Sequence, residues 1–272
     1  MTQKFGYRRD PVDPKDRNFS KTLRPVLKAL AKGDVDLSRY ATESDQGSLS
    51  SCAGNATADS IEIISAIEEE ERAKLQQRAP NPATPVSRLF VYAMARALMD
   101  DNGDGHGDLD RDEGTYIRLC FDVLSRFGVC DEVLWPYDAS KVFVAPSVKA
   151  MRQAVGHRIH SYYRITETGN SRLDTVRAAL RSNHPVVFGT LVDRDFPDPN
   201  GSELVRPPSD ERYTIGGHAM IIVGCIGKNF KVKNSWGSDW RRGGYCLFTP
   251  EYVTWKNTWD LWVPTMGTNF KR

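Results

Sequence analysis

The sequence predicts a mixed α+β protein in two lobes, a helical first half and a mainly antiparallel sheet in the second, with a cleft between them. Two observations carry this. From Cys52 onward, small and apolar residues recur at helical spacing over successive segments, whereas after about residue 155 the pattern changes to short β-branched and aromatic runs bounded by turn residues. Residues 1–35 read as an arm and 36–272 as the body, with the helical lobe at about 45–150 and the sheet lobe at about 155–265.

Composition narrows the function classes. An apolar fraction of 40%, a charged fraction of 26% and a formal charge of +2 are those of an ordinary globular chain, with no reason to expect nucleic acid or an acidic membrane surface as partner. No run approaches the ~18 apolar residues that span a bilayer. Met1 to Asp10 lacks the apolar core of a secretory signal, which leaves localisation open. Five cysteines, Cys52, Cys120, Cys130, Cys225 and Cys246, contain no C-x-x-C pair, and the odd count leaves at least one thiol free.

Taken in order, the arm is rich in Pro, Asp, Arg and Lys, with a helical turn expected from Pro25 to Lys32. Packing on the back of a lobe is the reading its composition favours; covering the cleft is the alternative. Asp45 to Ser51 is a small-residue loop that delivers Cys52 to a helix start, where unpaired N–H groups and the macrodipole favour a thiolate. Ala53, Ala56, Thr57, Ser60, Ile61, Ile64 and Ile67 give that helix one small-to-apolar face, and Glu68 to Lys74 a solvated end. Pro80-Asn81-Pro82 breaks it; Thr84 as N-cap and Pro85 at the first helical position then open a second helix through Met99. A third runs from about Thr115 to Phe127 and stops at Gly128. After a short helix near Pro146 to Val155, strands are expected at His160–Ile165, Pro185–Val192, Ala219–Cys225, Asn229–Asn234 and Gly244–Phe248, with a helix at Leu173–Leu180.

Between the second and third helices, Asp100, Asn102 and Asp104 followed by Gly105, with Asp108 in the ninth position, match the opening of a calcium loop. The twelfth position is Arg111, where that pattern needs a bidentate Glu, so the segment reads either as a non-standard structural calcium site or as a solvated acidic turn.

A nucleophilic cysteine needs a base, a group to orient that base, and donors for an oxyanion. Gly216-Gly217-His218-Ala219 stands at the entry to a strand, and Lys233-Asn234-Ser235-Trp236-Gly237 at the exit of another. The glycines allow close backbone approach, so the His218 ring can face Cys52. Asn234 can fix the imidazole tautomer, Trp236 can shield that hydrogen bond from water, and the Gln46 amide with the Cys52 N–H can form an oxyanion hole. Singly, a strand histidine is usually a satisfied core residue; the four pieces together point to thiol chemistry.

These residues resemble the papain-like (C1) cysteine peptidase family, in its compact microbial branch. The likeness is carried by Asp45-Gln46-Gly47, Ser51-Cys52, Gly217-His218-Ala219, Asn234-Ser235-Trp236-Gly237-Ser238-Asp239-Trp240 and Gly243-Gly244-Tyr245, and extends to Arg17-Asn18-Phe19 and Trp135-Pro136-Tyr137-Asp138. It implies a papain-like fold, with a helical N-terminal lobe, a β-barrel-like C-terminal lobe and the active cleft between. It also implies Cys52 as nucleophile, His218 as general base then acid, Asn234 as orienter and Gln46 as oxyanion donor. Trp236 is then the shield and Trp240 the floor of the leaving-group side. Gly217 is assigned with them to the substrate cleft, and His106, His157, His160 and His184 match no catalytic position.

The expected activity is hydrolysis of peptide bonds in protein or peptide substrates through an acyl-enzyme, by a monomer that needs no cofactor for catalysis. The alternatives are a transpeptidase or deamidase using the same site, or a silent or self-inhibited binding protein. Three departures stand out: Leu49 replaces a disulfide cysteine, Ala53 follows the nucleophile instead of Trp, and Glu113-Gly114-Thr115 stands where a Cys-x-Gly-Gly substrate-channel segment is usual. The long separation of Cys52 from His218 points to insertions, with the acidic loop and Asp195 to Ser209 as candidates.

Overall fold

The computed structural model describes residues 4–22, 33–101, 103 and 107–266. The arm supplies β1 (Tyr7–Arg8) and α1 (Phe19–Thr22); the helical turn expected at Pro25 to Lys32 lies outside the described residues. After β2 (Val35–Asp36) comes α2 (Cys52–Leu75), the helix around which the first lobe is built. Its first fourteen residues are all buried, because small side chains let neighbours close in from every side. At Gly54 a Cβ would stand 2.9 Å from that of Tyr92. Arg72 and Lys74 end the helix, where cations suit the macrodipole.

α3 (Arg88–Ala97) starts three residues later than Thr84 and Pro85 suggest. The backbone there has other partners: the Pro85 carbonyl accepts from Glu132 N at 2.8 Å, and Val86 N–H donates to Glu62 Oε1 at 2.9 Å. Ser87 caps instead, accepting from Phe90 N at 3.0 Å. β3 (Thr115–Tyr116) leads into α4 (Ile117–Arg126), after which Gly128 takes the left-handed φ of +81°. α5 (Val148–Ala154) closes this lobe, and α3 and α4 pack against α2.

The second lobe runs β4 (Ser161–Ile165), α6 (Gly169–Arg181), β5 (Val186–Asp193), β6 (Leu204–Val205), β7 (Thr214–Ile226), β8 (Asn229–Lys233), β9 (Tyr245–Phe248), α7 (Pro250–Val253) and β10 (Thr258–Thr265). The strand order is β4-β10-β5-β7-β8-β9-β6, antiparallel except for β6 on β9, with β2 beside β7. β10 lies between β4 and β5, a place the sequence pattern does not reveal. Its alternation breaks at Asp260, which has φ +53° at a register shift between Trp259 and Trp262, and at Pro264. α2 packs on β7 and β5, so the helix that begins with Cys52 is also the seam between the lobes. All five cysteines are buried and free.

The arm lies partly inside that seam. β1 pairs in parallel with β3, with Tyr7 opposite Thr115, and Phe19 is fully buried with its ring against Tyr163 of β4.

Candidate active site

Asp45-Gln46-Gly47 turns because the Asp45 carboxylate accepts from Gly47 N at 2.8 Å while Gly47 adopts φ +53°. The turn is tied to the far lobe at both ends. Gln46 N–H donates to the Ser235 carbonyl and Ser235 Oγ donates to Gln46 Oε1, each at 2.8 Å. These bonds set the start of α2 against the end of β8. Tyr137 Oη reinforces the turn by donating to the Gln46 carbonyl at 3.0 Å.

Cys52 is the first residue of α2 and has no exposed surface. The Ala219 N–H on β7 donates to its Sγ at 3.5 Å, so the residue next to His218 touches the sulfur. His218 Nε2 lies 2.7 Å from Asn234 Oδ1. That oxygen also accepts from Ser235 N–H at 2.8 Å, which identifies it as the acceptor and Nε2 as the protonated nitrogen. Nδ1 therefore carries the lone pair, and it has no hydrogen-bond partner among the described residues. Trp236 stacks on the imidazole at 4.7 Å between centroids, and Trp240 stands edge-on to Trp236 at 5.6 Å. The structure thus brings Gln46, Cys52, His218, Asn234, Trp236 and Trp240 to one locus, as their order in the sequence suggests.

What fills the groove over this locus is the arm. Gln46 Nε2 donates to the Leu49 carbonyl at 2.8 Å and to the Lys4 carbonyl at 3.2 Å. The Phe5 ring meets His218 and Trp236, each at 6.0 Å, and the next residue, Gly6, is near enough for its N–H to act on the Cys52 thiol. A Cβ on Gly216 would reach 2.8 Å from that of Phe5, and one on Gly217 2.8 Å from the Tyr7 carbonyl, so both glycines serve a close approach by this segment. Thr115 N–H donates to the Gly6 carbonyl at 2.9 Å, making Gly114-Thr115 the edge on which the arm pairs.

Burial under this cover sets the electrostatics. It pushes the Cys52 thiol up, against the lowering effect of the Ala219 and Gly6 N–H groups, although the helix start alone favours a thiolate. Burial also pushes His218 down to about 4, with the Asn234 hydrogen bond acting the other way. Near neutral pH the covered pair is thiol and neutral imidazole.

Several contributors were not evident from sequence. Phe196, within the Asp195–Ser209 segment, lies 5.6 Å from Trp236, 5.3 Å from Trp240 and 6.2 Å from His218. Its only signal is being the lone aromatic in a Pro/Asp-rich stretch. Behind the site, Lys233 Nζ is 2.5 Å from Asp59 Oδ2, joining α2 to the strand that carries Asn234, and Arg88 Nη2 lies 3.2 Å from both Asp59 and Glu62. Two carboxylates, Asp59 and Glu62, within the small-to-apolar first part of α2 were the readable sign.

The acidic loop holds the arm. Lys4 Nζ is 2.8 Å from Asp112, and Arg8 pairs with Asp101 and, at 3.2 Å, with Glu113. Of the calcium-loop residues, Asn102 and Asp104 lie outside the described residues. Asp108 is buried, and its N–H donates to the Arg96 carbonyl at 2.9 Å.

Residues 109–258 match the model of the papain family cysteine protease domain. The chain is 32% identical to an uncharacterized peptidase C1-like protein of Acanthamoeba polyphaga mimivirus, over 97% of this chain and 87% of that one. Among solved structures it resembles xylellain, a cysteine protease from Xylella fastidiosa, with a TM-score of 0.77 and 29% identity over 97% of this chain and 96% of that one. The bromelain protease of Ananas comosus shares the fold, with a TM-score of 0.62 and 18% identity over 87% of this chain and all of that one.

Proposed function

Because the chain belongs to the papain family of cysteine proteases, we propose that it hydrolyses peptide bonds in protein or peptide substrates through a thioester on Cys52. His218 Nδ1 takes the Cys52 proton as the sulfur attacks the scissile carbonyl, and the imidazolium then protonates the leaving amine. Water, deprotonated by the same imidazole, releases the acid. Gln46 Nε2, now on the Lys4 carbonyl, donates to the tetrahedral oxyanion. The observation that carries this reading is the Asn234–His218 bond of 2.7 Å, which leaves the Nδ1 lone pair unpaired on the residue next to Ala219, whose N–H meets the sulfur.

Turnover of a panel of blocked and free-amine peptides tests it. Cys52→Ser and His218→Ala should each lower kcat by ~10³-fold or more with the fold retained. Near-parental activity in either variant overturns the mechanism, and activity confined to free-amine or amide-transfer substrates replaces it with an aminopeptidase, transpeptidase or deamidase.

A second observation favours a latent resting form. Lys4, Phe5 and Gly6 occupy the oxyanion donor, the imidazole face and the sulfur respectively. A substrate needs all three, so it competes with the chain's own N-terminal segment.

A further inference from the structure

No hydrogen bond orients the two indoles beside His218. The Nε1 atoms of Trp236 and Trp240 are both buried, and neither has a hydrogen-bond partner among the described residues. Ring packing sets their places instead, and Phe196 is the ring that meets both of them and the imidazole. Phe196 is itself 2% exposed, so the shield depends on how the segment that carries it is fastened.

That segment leaves β5 at a turn in which the Asp193 carboxylate accepts from Phe196 N–H at 3.0 Å, and it rejoins the sheet where β6 lies on β9. Between these ends, three of its carbonyls turn to one residue, Arg241. The Arg241 N–H donates to the Pro199 carbonyl at 2.9 Å, Nη2 to the Phe196 carbonyl at 3.1 Å, and Nη1 to the Ser202 carbonyl. The same guanidinium stands 4.8 Å from the Trp240 ring centroid and 5.2 Å from that of Phe196. One side chain thus clasps the backbone of the segment and two rings of the shield. Gly201 makes the room, since a Cβ there would stand 3.0 Å from Nη2. Arg241 also holds φ +47°, where the neighbouring left-handed positions Gly237, Gly243 and Gly244 are all glycine. A long side chain is kept in this conformation at a cost that its contacts must offset.

We propose that Arg241 is a positioning residue for the peptidase reaction: it fastens the 195–209 segment so that Phe196 stays pressed on Trp236 and water stays off the His218–Asn234 bond. This rests on the reading of Cys52 and His218 as nucleophile and base, and it adds what keeps that base in one orientation. Away from water the bond of 2.7 Å is strong and fixes the tautomer that leaves Nδ1 free for the thiol. Were the segment to lift, water would compete for both Asn234 Oδ1 and Nε2–H, and the ring could turn. The planar fork is what the task needs. A lysine ammonium at this position is a single point of donation and does not lie flat on a ring, so it replaces only part of the clasp.

Solvent exchange of the His218 Nε2–H, followed by NMR on the 272-residue chain with isotope-labelled histidine, reads the shield directly. Arg241→Gly removes the guanidinium while relaxing the left-handed backbone, so the fold is retained. It should speed this exchange by about tenfold or more, the scale of one strong hydrogen bond. Phe196→Ala should do at least as much, and the double variant no more than Phe196→Ala alone. Arg241→Lys should fall between Arg241→Gly and the parent. Backbone amides of β7 and β8 should exchange at parental rates throughout. In the Phe5→Ala background, Arg241→Gly should lower kcat for a peptide several-fold and leave KM unchanged. Unchanged imidazole exchange in Arg241→Gly, equal acceleration of the β7 and β8 amides, or a kcat that ignores faster exchange overturns the role of Arg241 while leaving Cys52 and His218 in theirs. Failure of the parent and of Phe5→Ala to turn over any peptide overturns the thiol reading and, with it, the positioning role.

Discussion

The ring of Phe5 stands edge-on to the imidazole of His218, 6.0 Å between centroids and at 89°, so the chain's own fifth residue completes the burial of its candidate base. Phe5 packs there also against Trp236, and Gly216 carries no side chain that would keep it out. Phe5→Ala removes this contact and leaves the folded body untouched. The rate of Cys52 modification by a thiol-directed inhibitor should then rise by about tenfold or more, the scale of burying one aromatic side chain. An unchanged rate would mean that the arm does not limit access.

Arm docking should respond to pH through two groups with opposite signs. Asp10 is raised to about 7 in the docked state, by burial first and then by Asp260, so docking weakens as pH rises from the ordinary carboxylate range through about 7. His218 is held down to about 4 by burial, so the released state gains protons as pH falls below its ordinary 6.5, and docking weakens toward acid. The two slopes oppose each other between about pH 4 and 7. Cleavage of the arm by an added protease, measured in a Cys52→Ser background and expressed as a ratio of variant to parent, separates them. Asp10→Asn should leave docking that strengthens with rising pH, and His218→Ala docking that weakens with it. Parallel profiles in both variants would contradict this assignment.

Lys233 and Asp59 join the two lobes through buried charge. Lys233→Met leaves Asp59 with Arg88 and without its ammonium partner, and should cost about 3–5 kcal/mol, seen as a drop of several degrees or more in Tm. The double variant Lys233→Met/Asp59→Leu should lose less than the sum of the two single variants. Additive losses would show that the pair is not coupled.

The side chains at the candidate site were legible in the sequence because each motif fixes local geometry: an Asx turn before Cys52, glycines before His218, an aromatic after Asn234. The α+β division was legible because the periodicity changes where the lobes meet. What was hidden depends on long-range pairing. β10 carries an aspartate in a left-handed backbone and a proline, so no alternation marks it. The start of α3 was misread because the Pro85 and Val86 backbone groups are committed to Glu132 and Glu62. The route of Lys4 to Arg8 is decided by partners scattered from Gln46 to Asp260, and a five-residue stretch holds no periodicity to announce it.

The central claim is a nucleophilic Cys52 activated by His218, and one mass measurement reaches it most directly. The 272-residue chain, incubated with an epoxysuccinyl thiol-protease inhibitor and digested, should carry a single adduct, on the peptide containing Cys52, and none on the buried Cys120, Cys130, Cys225 or Cys246. The adduct should be lost in Cys52→Ser and slowed by orders of magnitude in His218→Ala. Modification of Cys52 at the parental rate in His218→Ala, or no modification of Cys52 even in Phe5→Ala, would contradict the account.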